Sequence, residues 1–514
     1  MPSDRTVNRL MAAIALACLV SLAQFHVRTI VASSIEYDDA HNANVAKNLA
    51  LGFGYSTSYH EFVPFNPQAS TGPVILIPAA AFVRLFGNQY WVPTMTIIVC
   101  IWATLFLVLF LLRSYLTRRE WFAAAALIAF GLMLYNTYEI GLLGDVPAAF
   151  LACASILVLC RPHQGWRSVA GAGLLLGLAM QAKLFTGLVL PSALFYLLAS
   201  ADARSEFSRR IRECLAFVAG AAVPFAAWEV WQFAAMGFSW HDWAGLKARQ
   251  YAFIELWSGL GGVRQSTGLG SMLPGRLSQH AAALVDHFNG LPSLILFPAA
   301  LALAVGAIAV IPSKDPRSRD LRRMTLVMLA AAATHLVWWC TLDSDGWYRH
   351  LLPGVIYFIT TAAVAVVAVF RVSRMVGAIA TFLLLLSWMP QFENLKVVFN
   401  GEFRPQARLR ALLAARDEMV KLQANPDFLF VGYAWWVPRD LEYLLPTVGN
   451  FKDVLRLQPD EVKGRKIVLV RNEFFNWEQS AEERAFQIAC DQHTLFRRDP
   501  FVISVCPSLP GDTH

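Results

Sequence analysis

The chain has 514 residues, of which 56% are hydrophobic and 15% are charged. Soluble domains average about 45–50% apolar and about 25% charged residues, so this composition excludes an ordinary soluble protein and indicates a membrane protein. The net charge is +7. It does not indicate a nucleic-acid partner, because the basic residues gather in short loops between hydrophobic segments, where they report topology.

A helix needs about 20 apolar residues to cross a hydrocarbon core of about 30 Å. Segments that approach this length occur throughout residues 1–390: they are 10–32, 91–112, 121–137, 147–160, 214–235, 291–311, 324–341, 351–370 and 375–390. Residues 168–200 contain a single charge, Lys183, which favours two further spans that turn there. The sequence therefore predicts an α-helical polytopic membrane protein with about 11 transmembrane helices.

The apolar run Pro73–Phe86 is too short to be counted as a span. It has 14 residues, contains Pro78 and carries Arg84, which is typical of an interfacial or re-entrant helix. With this count, Arg5, Arg9 and the basic inter-helix loops fall on one side, which the positive-inside rule makes cytoplasmic. We therefore expect a protein of the bacterial inner membrane, with a cytoplasmic N-terminus and residues 391–514 in the periplasm. The small residues 31–33 would also suit a cleaved signal peptide, but the many later spans favour an uncleaved first helix.

The external loop 33–90 carries an acidic pair, Asp38 and Asp39, just past the first span. The alanines and leucine that follow recur at helical spacing until Gly52, which predicts an amphipathic helix on the membrane surface, the first of two interfacial helices in this loop. Carboxylates at a bilayer boundary are costly and usually functional. The alternative is that the pair only caps a surface helix and interacts with its dipole. A further acid, Asp145, lies in the next external loop.

Several short motifs follow one another along residues 1–390. They are Asp38-Asp39 with Gly52-Phe53-Gly54, then Leu85-Phe86-Gly87, Asp145-Val146-Pro147, Lys183 before Leu190-Pro191, and Trp347-Tyr348-Arg349-His350-Leu351-Leu352-Pro353. In order and spacing the chain resembles the GT-C glycosyltransferases, especially the branch of protein O-mannosyltransferases and the lipid A aminoarabinose transferase. Many relatives have Lys-Pro-Pro where this chain has Thr71-Gly72-Pro73, so a phosphate-binding lysine of the family is not matched.

The resemblance implies a GT-C fold and an inverting glycosyltransferase that moves a sugar from a polyprenyl-phosphate donor to a hydroxyl acceptor. In this chemistry a positioned carboxylate deprotonates the acceptor, and we expect Asp38 to be that base, with Asp39 and Asp145 orienting the acceptor or tuning the site. Cations and hydrogen-bond donors stabilise the departing phosphate. The predicted phosphate-binding residues are Lys183, Arg349, Thr71 and His350.

Some residues have competing interpretations. The secondary site candidates are Glu36, Glu139 and Tyr348. Lys183 could instead be a snorkelling residue at a helix end, and Arg349 could serve only as an ion-pair partner of Asp343 or Asp345. Oxygen ligands of these acids would suit a divalent cation. No spacing motif supports a metal site, however, and no cofactor is expected to be required. A packed structural role is the better interpretation for His335.

The loop 237–290 is long for a connection, and long loops are often functional. The resemblance implies that it helps to enclose the substrates, so we interpret it as a lid whose flexibility comes from its glycines. A merely mobile surface loop is the alternative. The glycines are Gly259, Gly261, Gly262, Gly268 and Gly270.

Residues 391–514 read as a small α/β domain. The predicted strands are 428–433, 466–470 and 501–505, and the predicted helices are 439–445 and 481–488. Cys490 and Cys506 are the only cysteines of this region, and an oxidising exterior would permit a disulfide between them.

The expected partners are the bilayer, a polyprenyl-phosphate sugar and a glycan, lipid or protein acceptor. A nucleotide-sugar donor is disfavoured because there is no P-loop or dinucleotide fingerprint. The alternative function is a transporter or flippase for a lipid-linked glycan, which should show acids at mid-span and internal repeats. The acids here lie at loop edges instead. A non-catalytic assembly protein is a third interpretation.

Overall fold

The computed structural model describes residues 4–32, 35, 37–59, 61–135, 141–161, 165–199, 204–257, 269–310, 316–343, 347–392, 407–433, 439–473 and 481–506. The helices up to residue 388 are α1 (Asp4–Ala32), α2 (Tyr37–Ala50), α3 (Pro73–Phe86), α4 (Val92–Leu112), α5 (Arg118–Tyr135), α6 (Asp145–Leu159), α7 (Trp166–Ala182), α8 (Val189–Ala199), α9 (Arg204–Ala235), α10 (Trp240–Trp257), α11 (Leu269–His287), α12 (Leu291–Val310), α13 (Pro316–Thr341), α14 (Tyr348–Val369) and α15 (Arg374–Trp388).

The segments predicted to span the membrane all contain helices. They correspond to α1, α4–α9 and α12–α15. Within the described residues, seven helices are long and apolar enough to cross a membrane, and α3, α6 and α8 belong to shorter apolar stretches. The predicted break at Lys183 is confirmed, because α7 ends there in extended backbone and a 3₁₀ turn, Leu184–Leu188, leads into α8. The protein is therefore a multi-pass membrane protein.

Helices α7 and α9 approach each other closely because glycines line their contact. A Cβ atom added to Gly173 would lie 2.0 Å from the carbonyl oxygen of Phe217, and one added to Gly177 would lie 2.3 Å from that of Ala221. Gly220 faces the backbone of Ala170 in the same way. Small residues four apart are the usual means of close helix packing in membranes. This contact fixes α7, and with it the position of Lys183 at its end.

The centre of the bundle is formed by α6 and α14. Nearly every side chain of these two helices is buried within the protein, whereas α1 and α9 leave many apolar side chains exposed, as expected for helices that face lipid. The first residues of α6 and α14 include Asp145, Arg349 and His350. The central helices therefore bring these polar residues together.

The loop between α1 and α4 contains two helices and a hairpin. Strands β1 (Ser56–Thr57) and β2 (Val63–Pro64) pair antiparallel, and Tyr55 and Phe65 pack edge-on against Trp228 of α9. The predicted helix that follows the acidic pair is present as α2. Its polar face is buried, because residues 439–450 cover it.

The C-terminal region folds into a five-stranded mixed sheet with helices. The strands are β3 (Phe428–Gly432), β4 (Lys452–Asp453), β5 (Lys466–Asn472), β6 (Thr494–Arg498) and β7 (Phe501–Cys506), in the order β4-β3-β5-β7-β6. Strand β3 is parallel to β4 and β5, and β7 is antiparallel to β5 and β6. The helices are α16 (Ala407–Leu422), α17 (Arg439–Leu444), α18 (Pro459–Val462) and α19 (Ala481–Asp491). Cys490 and Cys506 form a disulfide between α19 and β7.

Much of the predicted lid is regular structure. Helices α10 and α11 occupy both ends of residues 237–290, and Gly270 lies within α11. Gly259, Gly261, Gly262 and Gly268 lie outside the described residues. Gly270 therefore does not supply the predicted flexibility, because it lies in a helix. The role of residues 237–290 as a lid stays a prediction.

Candidate active site

Asp38 and Arg349 form a contact between helices α2 and α14 in the candidate site. Asp38 lies in the first turn of α2, and Arg349 lies in the first turn of α14. The Nη1 atom of Arg349 donates a hydrogen bond to Oδ2 of Asp38, and both side chains are partly exposed. The guanidinium also stacks 4.5 Å from the ring centroid of Trp347. A base candidate and a phosphate-binding candidate are thus in direct contact.

Asp39 packs against the segment that leads into α6. A Cβ atom at Gly141 would lie 1.9 Å from Oδ2 of Asp39, so only glycine permits this approach. Three residues later Gly144 has φ +78°, a left-handed conformation that glycine adopts without strain. Residues 141–144 thereby turn the chain so that α6 begins at Asp145.

A hydrogen-bonded clamp holds this segment. The Nδ2 atom of Asn42 lies 2.9 Å from the carbonyl oxygen of Leu142 and 3.1 Å from Oγ1 of Thr71. The Thr71 hydroxyl is in turn 2.6 Å from the carbonyl oxygen of Leu143. Asn42 and Thr71 are both buried. This clamp, formed by Asn42 and Thr71, ties α2 to the loop before Asp145. The Thr71 hydroxyl is hydrogen-bonded to backbone carbonyl oxygens of that loop.

Asp145 and Lys183 form a second pair. Their Oδ2 and Nζ atoms are 3.7 Å apart, and the side chains are 2% and 7% exposed. The charges that act on the Asp145 carboxyl are those of Lys183, Arg349 and His350. Lys183 lies buried beside a carboxylate, unlike a snorkelling lysine that extends its charge to water. Asp145, Lys183, Arg349 and His350 thus share one local electrostatic environment.

His350 contacts another acid. Its Nδ1 atom is 2.7 Å from Oδ1 of Asp343, and Oδ2 of Asp343 is 3.9 Å from Nε2 of His280. His335 contacts the carbonyl oxygen of His350 through Nε2, at 2.7 Å. That contact and its burial fit the structural role expected for His335.

The remaining candidates are placed as follows. The hydroxyl of Tyr348 donates to the carbonyl oxygen of Tyr135 at 2.8 Å, so it ties α14 to α5. Glu36, Glu139 and Asp345 lie outside the described residues. No group of three His, Cys, Asp or Glu side chains is arranged to hold a metal ion in the part of the chain that the structure describes.

The sequence analysis did not predict the roles of three residues at this site: Asn42, His280, and Asp343 as a contact of His350. The position of Asn42 could have been inferred, because it lies four residues after Asp38 on the same helix face. His280 carries no such signal. Its proximity to Asp343 depends on the packing of α11 beside α13.

Comparisons with known proteins agree with this fold. A family model described as dolichyl-phosphate-mannose-protein mannosyltransferase matches residues 70–231, which include Asp145 and Lys183. The crystal structure of ArnT from Cupriavidus metallidurans in the apo state matches with a TM-score of 0.61 and 14% identity, over 96% of this chain and 97% of that one. The same protein bound to undecaprenyl phosphate matches with a TM-score of 0.60 and 13% identity, over 99% and 100% of the two chains. No curated protein matches the sequence.

The chain therefore has a fold similar to that of ArnT over nearly its whole length. Residues 70–231 are in addition similar to the protein mannosyltransferase family.

Proposed function

We propose that this protein is an inverting glycosyltransferase that moves a sugar from a polyprenyl-phosphate donor to a hydroxyl acceptor. The observation that carries the proposal is the contact between Asp38 and Arg349 beside the buried pair of Asp145 and Lys183. The similar structure of ArnT is bound to undecaprenyl phosphate, a lipid of the class that such a donor releases.

The reaction needs one base and several cations. The acceptor oxygen attacks the anomeric carbon, the bond from that carbon to the phosphate oxygen breaks, and its electron pair leaves with the polyprenyl phosphate. The carboxylate of Asp38 takes the acceptor proton. Attack from the side opposite the phosphate inverts the anomeric centre. A base placed in this way contributes about 10²–10⁴-fold to the rate.

The departing phosphate gains negative charge as the bond breaks, and fixed cations stabilise that charge. Arg349, Lys183 and His350 supply them in this proposal. Asp145 keeps the buried ammonium of Lys183 in place, since a buried charge without a partner is costly. With these groups the chemistry requires no metal cofactor. Thr71 acts through the clamp in this assignment, because its hydroxyl is bonded to the backbone of residues 142 and 143.

We place the reaction on the periplasmic face of a bacterial inner membrane. The support is the positive-inside rule, which assigns the arginine-rich loops to the cytoplasm. On that side Arg371, just after α14, forms an ion pair with Glu120 in the first turn of α5. The loop end at residues 141–143 carries no basic residue. Protease added to intact spheroplasts should cleave within residues 391–514 under this topology. Protection until the membrane is lysed would contradict it.

The enzyme is tested by donor turnover. Purified protein in detergent is incubated with a panel of polyprenyl-phosphate monosaccharides, and wild type is compared with Asp38→Asn. We expect release or transfer of sugar from one donor and about 10²-fold or greater loss in the variant. The matched control is Asp427→Asn, the same change at an exposed residue of the C-terminal domain. Near wild-type turnover by folded Asp38→Asn, or silence from every donor and acceptor, would contradict the proposal.

A further inference from the structure

A buried carboxylate connects two histidines at the edge of the candidate site. Asp343 is 2% exposed, and it follows α13 directly. Its Oδ1 atom is 2.7 Å from Nδ1 of His350 on α14, and its Oδ2 atom is 3.9 Å from Nε2 of His280 on α11. One carboxylate therefore contacts two other helices through titratable rings.

The surrounding contacts hold the pair of Asp343 and His350 in place. Nε1 of Trp339 donates to the carbonyl oxygen of Trp347 at 3.1 Å, and His335 contacts the carbonyl oxygen of His350. On the other side, Arg276 donates to the carbonyl oxygen of Leu342 at 3.1 Å. These hydrogen bonds hold the backbone at Leu342, Trp347 and His350, from which the side chains of Asp343 and His350 approach each other.

Two histidines contact the buried carboxylate of Asp343. Among the described ion pairs, Asp38 contacts Arg349, Asp145 contacts Lys183, and Asp343 contacts His350 and His280. A carboxylate this deeply buried is stable only when it is compensated. A hydrogen bond from Nδ1 of His350 contributes to that compensation.

The contact between Asp343 and His350 leaves one ring nitrogen for a second hydrogen bond. Nδ1 of His350 contacts Asp343, so Nε2 is the second N–H donor of the protonated ring. His350 adjoins Arg349 in the chain, and its charge acts on Asp145. His350 is also partly exposed, unlike Asp343 and His280. The ring therefore lies between a buried acid and the part of the site that holds the other cations.

We propose that Asp343 is a positioning residue that holds His350 as a charged hydrogen-bond donor to the phosphate of the lipid donor. This rests on the proposed function, in which His350 is one of three cations on the phosphate, and it adds the residue that holds His350 in place. When the anomeric bond breaks, the phosphate oxygen takes the electron pair, and the protonated Nε2 atom hydrogen-bonds to the phosphate that has gained the charge. Asp343 takes no proton in this step, because its role is to orient the ring through the contact with Nδ1.

The test measures binding of undecaprenyl phosphate to the purified full-length protein, alongside donor turnover. We expect His350→Gln to bind about tenfold more weakly than wild type, because a charge-assisted hydrogen bond to the phosphate is lost, and Asp343→Asn to lose affinity as well. Asp343→Glu should restore part of the wild-type affinity. The double variant Asp343→Asn, His350→Gln should bind no more weakly than His350→Gln alone, because both changes act on the same hydrogen bond to the phosphate.

Equal affinity of wild type and folded Asp343→Asn would overturn the inference, as would additive losses in the double variant. If Asp343→Asn does not fold, the variants His350→Gln and Asp343→Glu still decide the matter, since unchanged affinity in His350→Gln excludes the role. Binding is measured separately from turnover, so the two proposals fail in different ways. Wild-type binding that His350→Gln and Asp343→Asn weaken, without turnover, contradicts the glycosyltransferase assignment alone.

Discussion

The Nζ atom of Lys47 lies 2.7 Å from the carbonyl oxygen of Leu445, across 398 residues of sequence. The same ammonium contacts the carbonyl oxygens of Glu442 and Thr447 at 2.5 and 2.6 Å. Lys47 is on the helix that begins with the acidic pair, and the three carbonyls lie at the C-terminal end of α17. A cation at that end of a helix satisfies carbonyls that have no partner within the helix. The C-terminal domain is thus fastened to the helix that carries Asp38.

We expect Lys47→Met to destabilise this attachment by about 3 kcal/mol, because it leaves buried carbonyl oxygens without their donor. The measurement is the unfolding temperature of the detergent-purified protein, together with turnover. The matched control is Lys421→Met on α16, where the side chain is 72% exposed and forms only an i,i+3 pair with Glu418. The control should change stability by less than about 0.5 kcal/mol. Equal stability of the two variants would show that the Lys47 contacts do not fasten the domain.

The attachment should also depend on pH. Burial lowers the pKa of Lys47 to about 8, although the charge of Glu442 opposes the shift. The unfolded lysine keeps its proton up to a pH of about 10.4, so it binds more protons than the folded one between about pH 8 and about pH 10.4. The free energy of unfolding therefore rises with pH through this window, and the contribution is lost as the pH falls to about 8.

The stability difference between wild type and Lys47→Met isolates this titration from the tyrosines that titrate at similar pH. That difference should grow by about 2 kcal/mol from pH 8 to pH 10. Thermal unfolding of both proteins across the range measures it. A difference that stays flat or shrinks would mean that Lys47 keeps its usual pKa when folded.

The sequence could predict features that depend on local patterns. Segment length and hydropathy predicted the spans, Lys183 predicted the break between α7 and α8, and short apolar runs predicted β3, β5 and β7. The short strands β4 and β6 were missed. Strand β4 has two residues, and β6 is mostly exposed, so neither leaves a clear pattern of buried residues in the sequence.

Part of the candidate site could also be predicted, and part could not. Acids and cations at loop edges indicated that Asp38, Asp145, Lys183 and Arg349 would meet, because costly charges at a membrane boundary need partners. The burial of the polar face of α2 could not be foreseen. It results from contacts with residues about 400 positions away, and an amphipathic pattern alone does not say whether lipid headgroups or another domain will cover the polar side.

The clamp around residues 141–143 gives a prediction that separates positioning from phosphate binding. Asn42→Ala and Thr71→Val each remove hydrogen bonds to the carbonyls before Asp145. We expect turnover to fall by about tenfold or more, since small displacements of catalytic groups are costly. Affinity for undecaprenyl phosphate should change little.

The clamp variants are tested by measuring kcat together with the affinity for undecaprenyl phosphate. Asn66→Ala is a suitable control, because Asn66 bonds Thr57 within the hairpin instead of the clamp. A large loss of lipid-phosphate affinity in Thr71→Val, with kcat unchanged, would restore Thr71 as a phosphate ligand and contradict the positioning role.

The packing of α7 against α9 gives the last prediction. An added methyl group at Gly177 would lie 2.3 Å from the carbonyl oxygen of Ala221, which is backbone and cannot turn away as a side chain can. Gly177→Ala must therefore push the two helices apart, and α7 carries Lys183 at its end. We expect lower thermal stability and lower turnover together. Gly171→Ala is the matched control on the same helix, because a methyl group there meets nothing within 4 Å and alanine favours the helix. If Gly177→Ala matched Gly171→Ala in both measurements, close packing of α7 and α9 would not be what positions Lys183.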